Sequence, residues 1–306
     1  MNEYSFEVYD EYAGIRVDRY LSLSCEELSR SYIQKLIKDN AVLIDGRPCK
    51  SSTVLKEGDN VSVSVPEAVI PDILPEDIPL DILYEDDDVI VVNKPKGMVV
   101  HPGAGHYNGT LVNALMYHCT SLSGINGVLR PGIVHRIDKD TTGAVIACKN
   151  DISHKSIADQ LKEHSVDREY IAIVHGNICE DSGTIDAPIG RDHRERKKMA
   201  VDFNDGKEAV TTFTVLERFS QFTFIKCRLR TGRTHQIRVH MAYLKHPILG
   251  DQVYSNSRSR YNLTGQTLHA RTLGFTHPVS GERILTEAPV PDYFNRVLND
   301  LRIKNQ

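Results

Sequence analysis

Residues 132–143 read Gly-Ile-Val-His-Arg-Ile-Asp-Lys-Asp-Thr-Thr-Gly, so His135, Arg136, Asp138 and Asp140 set an imidazole, a guanidinium and two carboxylates close together. Acids beside bases at this spacing can supply a nucleophile, a general acid or base, or a stabiliser of developing charge. A neighbouring guanidinium favours the charged form of a carboxylate and aims it. A second cluster, residues 229–240, reads Leu-Arg-Thr-Gly-Arg-Thr-His-Gln-Ile-Arg-Val-His and offers Arg233 and Arg238. A third, residues 91–105, reads Val-Val-Asn-Lys-Pro-Lys-Gly-Met-Val-Val-His-Pro-Gly-Ala-Gly, a loop stiffened by proline in which glycine lets backbone come close to a ligand.

Strands must hold these clusters. Ile133-Val134 predicts a strand entering the first cluster and Val145–Cys148 a strand leaving it. Further strands are expected at Val89–Val92, Tyr170–Val174, Ala209–Leu216, Phe222–Leu229 and Thr267–Phe275, and helices at Leu111–Tyr117, Ser153–Glu163 and His235–Leu244. Short connections and no regular strand–helix alternation predict an α+β domain over 83–306 built on a mixed, largely antiparallel sheet. The helix from His235 would turn Arg238 inward and offer its N-terminal dipole to anions.

Residues 12–65 look like a small separate α/β module. It has a short helix around Ile15–Leu21 and a second helix from Ser29–Ser31, with Ile33, Leu36 and Ile37 inward and Arg30, Gln34, Lys35 and Lys38 outward. Strands Val42–Ile44 and Val61–Val65 follow, with an Asp45-Gly46 turn after the first. Pro66, Pro71, Pro75 and Pro79 stand among acids over 66–82, which predicts an extended acidic linker.

Net charge is −4, but its distribution is uneven. Residues 57–90 carry eleven acids and no Lys or Arg, whereas 220–250 carry six bases and no acid. A local positive field can hide behind such a total. The run Arg191–Lys198 adds a basic loop. Six scattered cysteines have no zinc spacing and are expected to be reduced packing residues. No apolar run approaches a membrane span, and the acidic N-terminus is unlike a signal peptide, so a cytoplasmic protein is expected.

Together the three clusters resemble the RluA family of pseudouridine synthases, most closely its RluD-like branch acting on large-subunit ribosomal RNA. The family pattern His-Arg-Leu-Asp-x-x-Thr-Ser-Gly fits 135–143, with Ile137 for Leu and Thr142 for Ser. The resemblance spans about residues 12–290, and 12–65 is similar to the RNA-binding module named after the fourth small-subunit ribosomal protein. It implies a mixed sheet with a central cleft, Asp138 as the essential catalytic residue, and Tyr170 of Arg168-Glu-Tyr stacking on the target base. It also implies an arginine of the second cluster paired with Asp138, for which Arg238 is favoured, leaving Arg233 for RNA phosphate. The basic helix residues Arg30, Lys35 and Lys38 would touch RNA backbone. Arg136 either contacts RNA, holding phosphate or filling the gap of a flipped nucleotide, or pairs with Asp138 or Asp140. Arg168 stands where lysine is usual and receives no role; Lys94 and His101 are read as cleft wall.

The expected partner is large-subunit ribosomal RNA or a pre-ribosomal particle, with no cofactor, no metal and a monomeric chain. A kinase loop is excluded because Ile137 separates Arg136 from Asp138, and no phosphate-binding glycine loop is present. His235 and His240 are five apart without an intervening Glu, unlike a zinc hydrolase helix. A non-catalytic ribosome assembly factor is the remaining alternative, which has no use for a carboxylate that repels phosphate.

Overall fold

The computed structural model describes residues 2–25, 30–65, 73–103, 106–125, 130–193, 195, 198–255 and 261–304. The chain divides into two compact units, Met1–Ile70 and Pro71–Gln306.

The smaller unit comprises β1 (Asn2–Glu7), α1 (Val17–Ser24), α2 (Arg30–Lys38), β2 (Val42–Ile44), β3 (Arg47–Pro48) and β4 (Asn60–Val65), its sheet ordered β1-β4-β2-β3. Asp45 and Gly46 both take positive φ in the β2–β3 turn, as a tight hairpin requires. The unit starts earlier than residue 12: β1 pairs with β4 along its whole length. Its core joins Val17, Leu21, Ile33, Leu36 and Ile37 to Val42, Val61 and Val63. On α2, Arg30, Gln34, Lys35 and Lys38 are exposed as expected, but Arg30 and Gln34 also bind the buried Asp18 carboxylate, at 3.0 and 2.8 Å. Ser29, expected to cap this helix, lies outside the described residues.

The larger unit contains β5 (Ile82–Glu85), β6 (Val89–Lys94), α3 (Leu111–His118), β7 (Thr142–Cys148), α4 (Asp151–Lys162), β8 (Asp167–His175), β9 (Ser182–Asp186), β10 (Ile189–Arg191), β11 (Met199–Val201), β12 (Val210–Arg218), β13 (Phe222–Leu229), α5 (Gln236–Tyr243), β14 (Leu268–Thr276), β15 (Arg283–Glu287) and α6 (Asp292–Lys304). Its large sheet runs β5-β6-β7-β14-β8-β13-β12-β9, with β15 beside β14. Its described pairings are antiparallel except β7 with β14, so the expected mixed, largely antiparallel sheet is present. Along β8, Tyr170, Ala172 and Val174 face one core, while Ile171 and Ile173 face another that includes Phe294 and Val297 of α6.

Three expectations change. Ile133-Val134 is not a strand: Pro131 and Gly132 turn the chain, and the bridge of Ile133 to Ala147 is an isolated one. Of the expected linker, 66–72 lies outside the described residues. Residues 73–81 form no regular element, yet they are held to α3, where Asn113 donates to Leu74 O at 2.8 Å and Ile73 is buried. Cys179 is exposed rather than packed, whereas Cys25, Cys119, Cys148 and Cys227 are buried.

Candidate active site

The Asp138 loop leads into one strand, β7, and is otherwise held by side chains rather than by a second strand. His135 Nε2 accepts the Ile146 N–H at 3.0 Å, so the ring stands in for a strand carbonyl along the edge of β7. Burial pushes this imidazole down to about 3, keeping Nε2 free to accept. Two residues before the acid, Arg136 Nη1 donates to His101 Nε2 at 2.8 Å, and His101 Nδ1 donates to Pro102 O at 3.1 Å. Arg136 is thus oriented by a neutral histidine and not by either aspartate. His101, read as cleft wall, positions a cation.

Lys94 is fully buried at the end of β6 and donates to the carbonyls of Pro95, Met98 and Lys139 at 2.8, 2.8 and 3.0 Å. Burial pulls its ammonium down to about 7 against the attraction of Asp140 and Asp138. Gly97 N–H reaches the same Lys139 carbonyl at 3.0 Å. The Asn-Lys-Pro-x-Gly loop therefore clamps the Asp138 loop from one side. From the other, Thr142 Oγ1 bonds His269 Nδ1 at 2.8 Å. Gly143 has φ +112°, and a Cβ there would overlap the Ala270 carbonyl, so only glycine lets β7 meet β14 so closely.

The second cluster delivers Arg238 from α5. Gln236 and His240 lie on one face of this helix. Gln236 Nε2 donates to Val210 O and Thr211 Oγ1, each at 3.0 Å, and His240 Nδ1 meets the same Thr211 hydroxyl at 2.9 Å. Arg238, two positions from each, projects from the opposite face. Its Nη1 donates to Asp138 Oδ2 at 2.9 Å, while Nε and Nη2 grip Asp251 at 2.7 and 3.0 Å. Burial disfavours the Arg238 cation, but the two carboxylates outweigh it and raise its pKa. Burial likewise works against the Asp251 anion, yet Arg238 and the Val253 and Tyr254 N–H groups lower its pKa overall.

Asp138 is partly exposed, and His235 Nε2 lies 3.9 Å from its other oxygen. His235 itself takes φ +58° ahead of α5 and bonds the Tyr254 hydroxyl at 2.8 Å. Asp251, Gln236 and Tyr254 were missed in the sequence. The signal for Asp251 was slight: it is the first acid after the acid-free stretch 220–250.

His101, Arg136, Asp138, His235, Gln236 and Arg238 line a cavity of about 870 Å³ that also receives Tyr170 and Arg233. Tyr170 is buried on β8, which raises the pKa of its phenol against the pull of Arg168. Arg233 Nε is anchored to Glu208 O at 2.8 Å. Among the described residues, Asp138 is the single carboxylate lining this cavity, facing Arg130, Arg136, Lys162, Arg168, Arg233 and Arg238. Arg30, Lys35 and Lys38 belong to the other unit. Within the basic run 191–198, residues 194, 196 and 197 lie outside the described ones.

A separate knot of Asp86, Asp88 and His277 has the composition of a metal site. Its lone pairs are engaged, however. His277 Nδ1 accepts the Val279 and Ser280 N–H groups at 3.2 and 3.0 Å, which leaves Nε2–H to donate to Asp86 at 2.8 Å. It ties the β5–β6 turn to the end of β14.

Residues 88–243 match the model of the RNA pseudouridylate synthase family, and residues 15–61 match the S4 domain. The chain belongs to the RNA pseudouridine synthase family. It is 51% identical over 302 residues to a Bacillus subtilis protein named uncharacterized RNA pseudouridine synthase YlyB, covering 99% of both chains. The synthase is also 44% identical to a ribosomal large subunit pseudouridine synthase D of Xanthomonas campestris, covering 96% of this chain and 91% of that one. Among solved structures, human RNA pseudouridylate synthase domain containing 1 matches with TM-score 0.56 and 25% identity over 73% of this chain and 95% of that one. The synthase is thus an isomerase of RNA by family, with an S4 domain ahead of its catalytic unit. Among its described residues, no helix is long and apolar enough to cross a membrane.

Proposed function

We propose that this synthase converts uridines of large-subunit ribosomal RNA to pseudouridine, with Asp138 as its essential carboxylate. The observation that carries this reading is the lone carboxylate of Asp138 among six cations of one cavity, held by an arginine that a second, buried aspartate steadies. Such a lining attracts a polyanion. A carboxylate within it weakens phosphate binding, so it has a use only in chemistry.

The reaction breaks the N1–C1′ bond of uridine, turns the ring and joins C5 to C1′; the proton lost from C5 is balanced by one gained at N1. No electron is transferred and no cofactor is needed. Asp138 serves as nucleophile, or as counter-charge to the electron-poor sugar. Arg238 holds it in place. Tyr170 offers a flat, desolvated ring for the base and a phenol that can carry the C5 proton late in the reaction. Arg136 and Arg233 hold the RNA backbone around an extruded nucleotide.

The ribosomal target is supported by the similarity to the Xanthomonas campestris protein and by the S4 domain. Lys35 and Lys38, exposed on α2 with the half-exposed Arg30, are the residues through which that domain touches RNA. The protein acts as a cytoplasmic monomer in this reading. The test is Asp138→Asn, measured for turnover and for affinity on ribosomal RNA. Turnover should vanish with affinity within about threefold, because the carboxylate serves the chemistry and not the binding. Unchanged turnover, or affinity lost along with it, contradicts the assignment.

A further inference from the structure

We propose that Arg168 forms a phosphate subsite at the wall of the candidate cavity, taking a phosphodiester of the nucleotide that enters it. This rests on the reading of the cavity as an RNA site, and it adds a contact that the residues of the three clusters do not supply.

Arg168 sits on β8 two positions before Tyr170, so both reach the same side of the sheet and line the same cavity. It is only 7% exposed. Its guanidinium donates from Nη2 to the Arg230 carbonyl at 3.2 Å, while Nε is buried with no partner. Among the described residues it makes no ion pair. The contrast is Arg238, equally buried in the same cavity, which carries two carboxylates. A lone buried cation is unfavourable, and chains usually neutralise it.

This chain instead shapes itself around the charge. A Cβ on Gly232 would come within 2.6 Å of Arg168 Nη1, so glycine at that position makes room for the guanidinium. The segment after β13 thus supplies a carbonyl and a vacant space, but no anion. Burial lowers the pKa of Arg168, opposed only by Tyr170. The missing counter-charge is one that a ligand brings. A base carbonyl would satisfy a hydrogen bond but leave the charge uncompensated. A phosphodiester offers a full charge and two oxygens suited to a guanidinium fork. Lys162 and Arg233, on the same cavity wall, reinforce the preference for an anion.

The test is thermal unfolding of the full chain with uridine 3′,5′-bisphosphate, and with uridine as the uncharged control, for wild type, Asp138→Asn, Arg168→Lys and Arg168→Met. Bisphosphate should protect wild type and Asp138→Asn alike, and far better than uridine does. Arg168→Met should need about tenfold more bisphosphate for the same protection, as expected on losing a charged hydrogen bond. Arg168→Lys, which keeps the charge without the fork, should fall between them. If Arg168→Met does not fold, the lysine variant decides, through weaker bisphosphate protection with uridine unchanged. Equal protection of wild type and the Arg168 variants, or none of wild type, overturns the subsite. Because binding is read without turnover, a synthase inactive on ribosomal RNA that still shows this dependence keeps the subsite and loses only the target.

Discussion

Arg238 is held from both ends, by Asp138 in the cavity and by Asp251 beneath it. Removing the lower charge should let the guanidinium drift, and the Asp138 carboxylate with it. Asp251→Asn keeps the shape of the side chain but weakens that anchor. Misplacement of a reacting group by about 1 Å can reduce a rate on the order of 10²-fold. The single-turnover rate of Asp251→Asn should fall by that order while RNA affinity stays close to wild type; a rate within about twofold of wild type would mean that Arg238 needs no such support. The residues that carry charge to the cavity were legible because they cluster: His-Arg-Ile-Asp and Gly-Arg-Thr-His-Gln-Ile-Arg each place several functional types within a few positions. Asp251 was not, because it is a solitary acid 13 positions from the arginine it serves. Arg136 shows a related limit. Two aspartates are its near neighbours in sequence, yet its partner is His101, 35 residues away.

At the scale of elements, the Asp138 loop depends on how tightly β7 meets β14. Gly143 is where that pairing leaves no room for a side chain. Gly143→Ala adds both a strained φ and a collision with backbone, and should destabilise the protein by at least about 2 kcal/mol in urea unfolding. Gly46→Ala, also at positive φ but with open space around it, should lose only about 1 kcal/mol. Equal losses would show that strain alone, and not the close approach of β14, fixes glycine at 143. Most long strands and helices of the larger unit were readable from periodicity, and Phe222–Leu229 is a strand over the whole expected range. Ile133-Val134 was misread because β-branched residues favour strands generally, whereas Pro131 and Gly132 set the local path and the His135 ring takes the edge of β7. The helix α6 went unread although Phe294, Val297, Leu298 and Leu301 carry its apolar stripe at helical spacing.

The molecule as a whole carries neutral histidines, His269 buried and His135 half-buried, that acid must charge. Burial pushes His269 down to about 4 and His135 to about 3. Below the ordinary histidine value the unfolded chain takes up protons that the folded chain refuses. Stability is therefore full above about pH 6.5 and falls as pH drops toward 4, by about 1.4 kcal/mol per pH unit for each histidine. Urea midpoints at pH 7, 6 and 5 should decrease in that order; a flat series would mean that neither ring is held neutral. The two units have separate cores, one drawn from residues 4–65 and the other from residue 73 onward. Deleting residues 1–70 should leave the larger unit folded, with its cavity intact, and weaken RNA binding through loss of Lys35 and Lys38. Unaltered affinity would show that the S4 domain is not an RNA arm.

The central claim is that Asp138 performs uridine isomerisation on ribosomal RNA. Its most direct test is pseudouridine mapping of an unmodified large-subunit ribosomal RNA transcript after incubation with the intact protein and with Asp138→Ala. Pseudouridines at defined positions with the intact protein, and none with the variant, are the predicted result. The same positions modified by both proteins would contradict it.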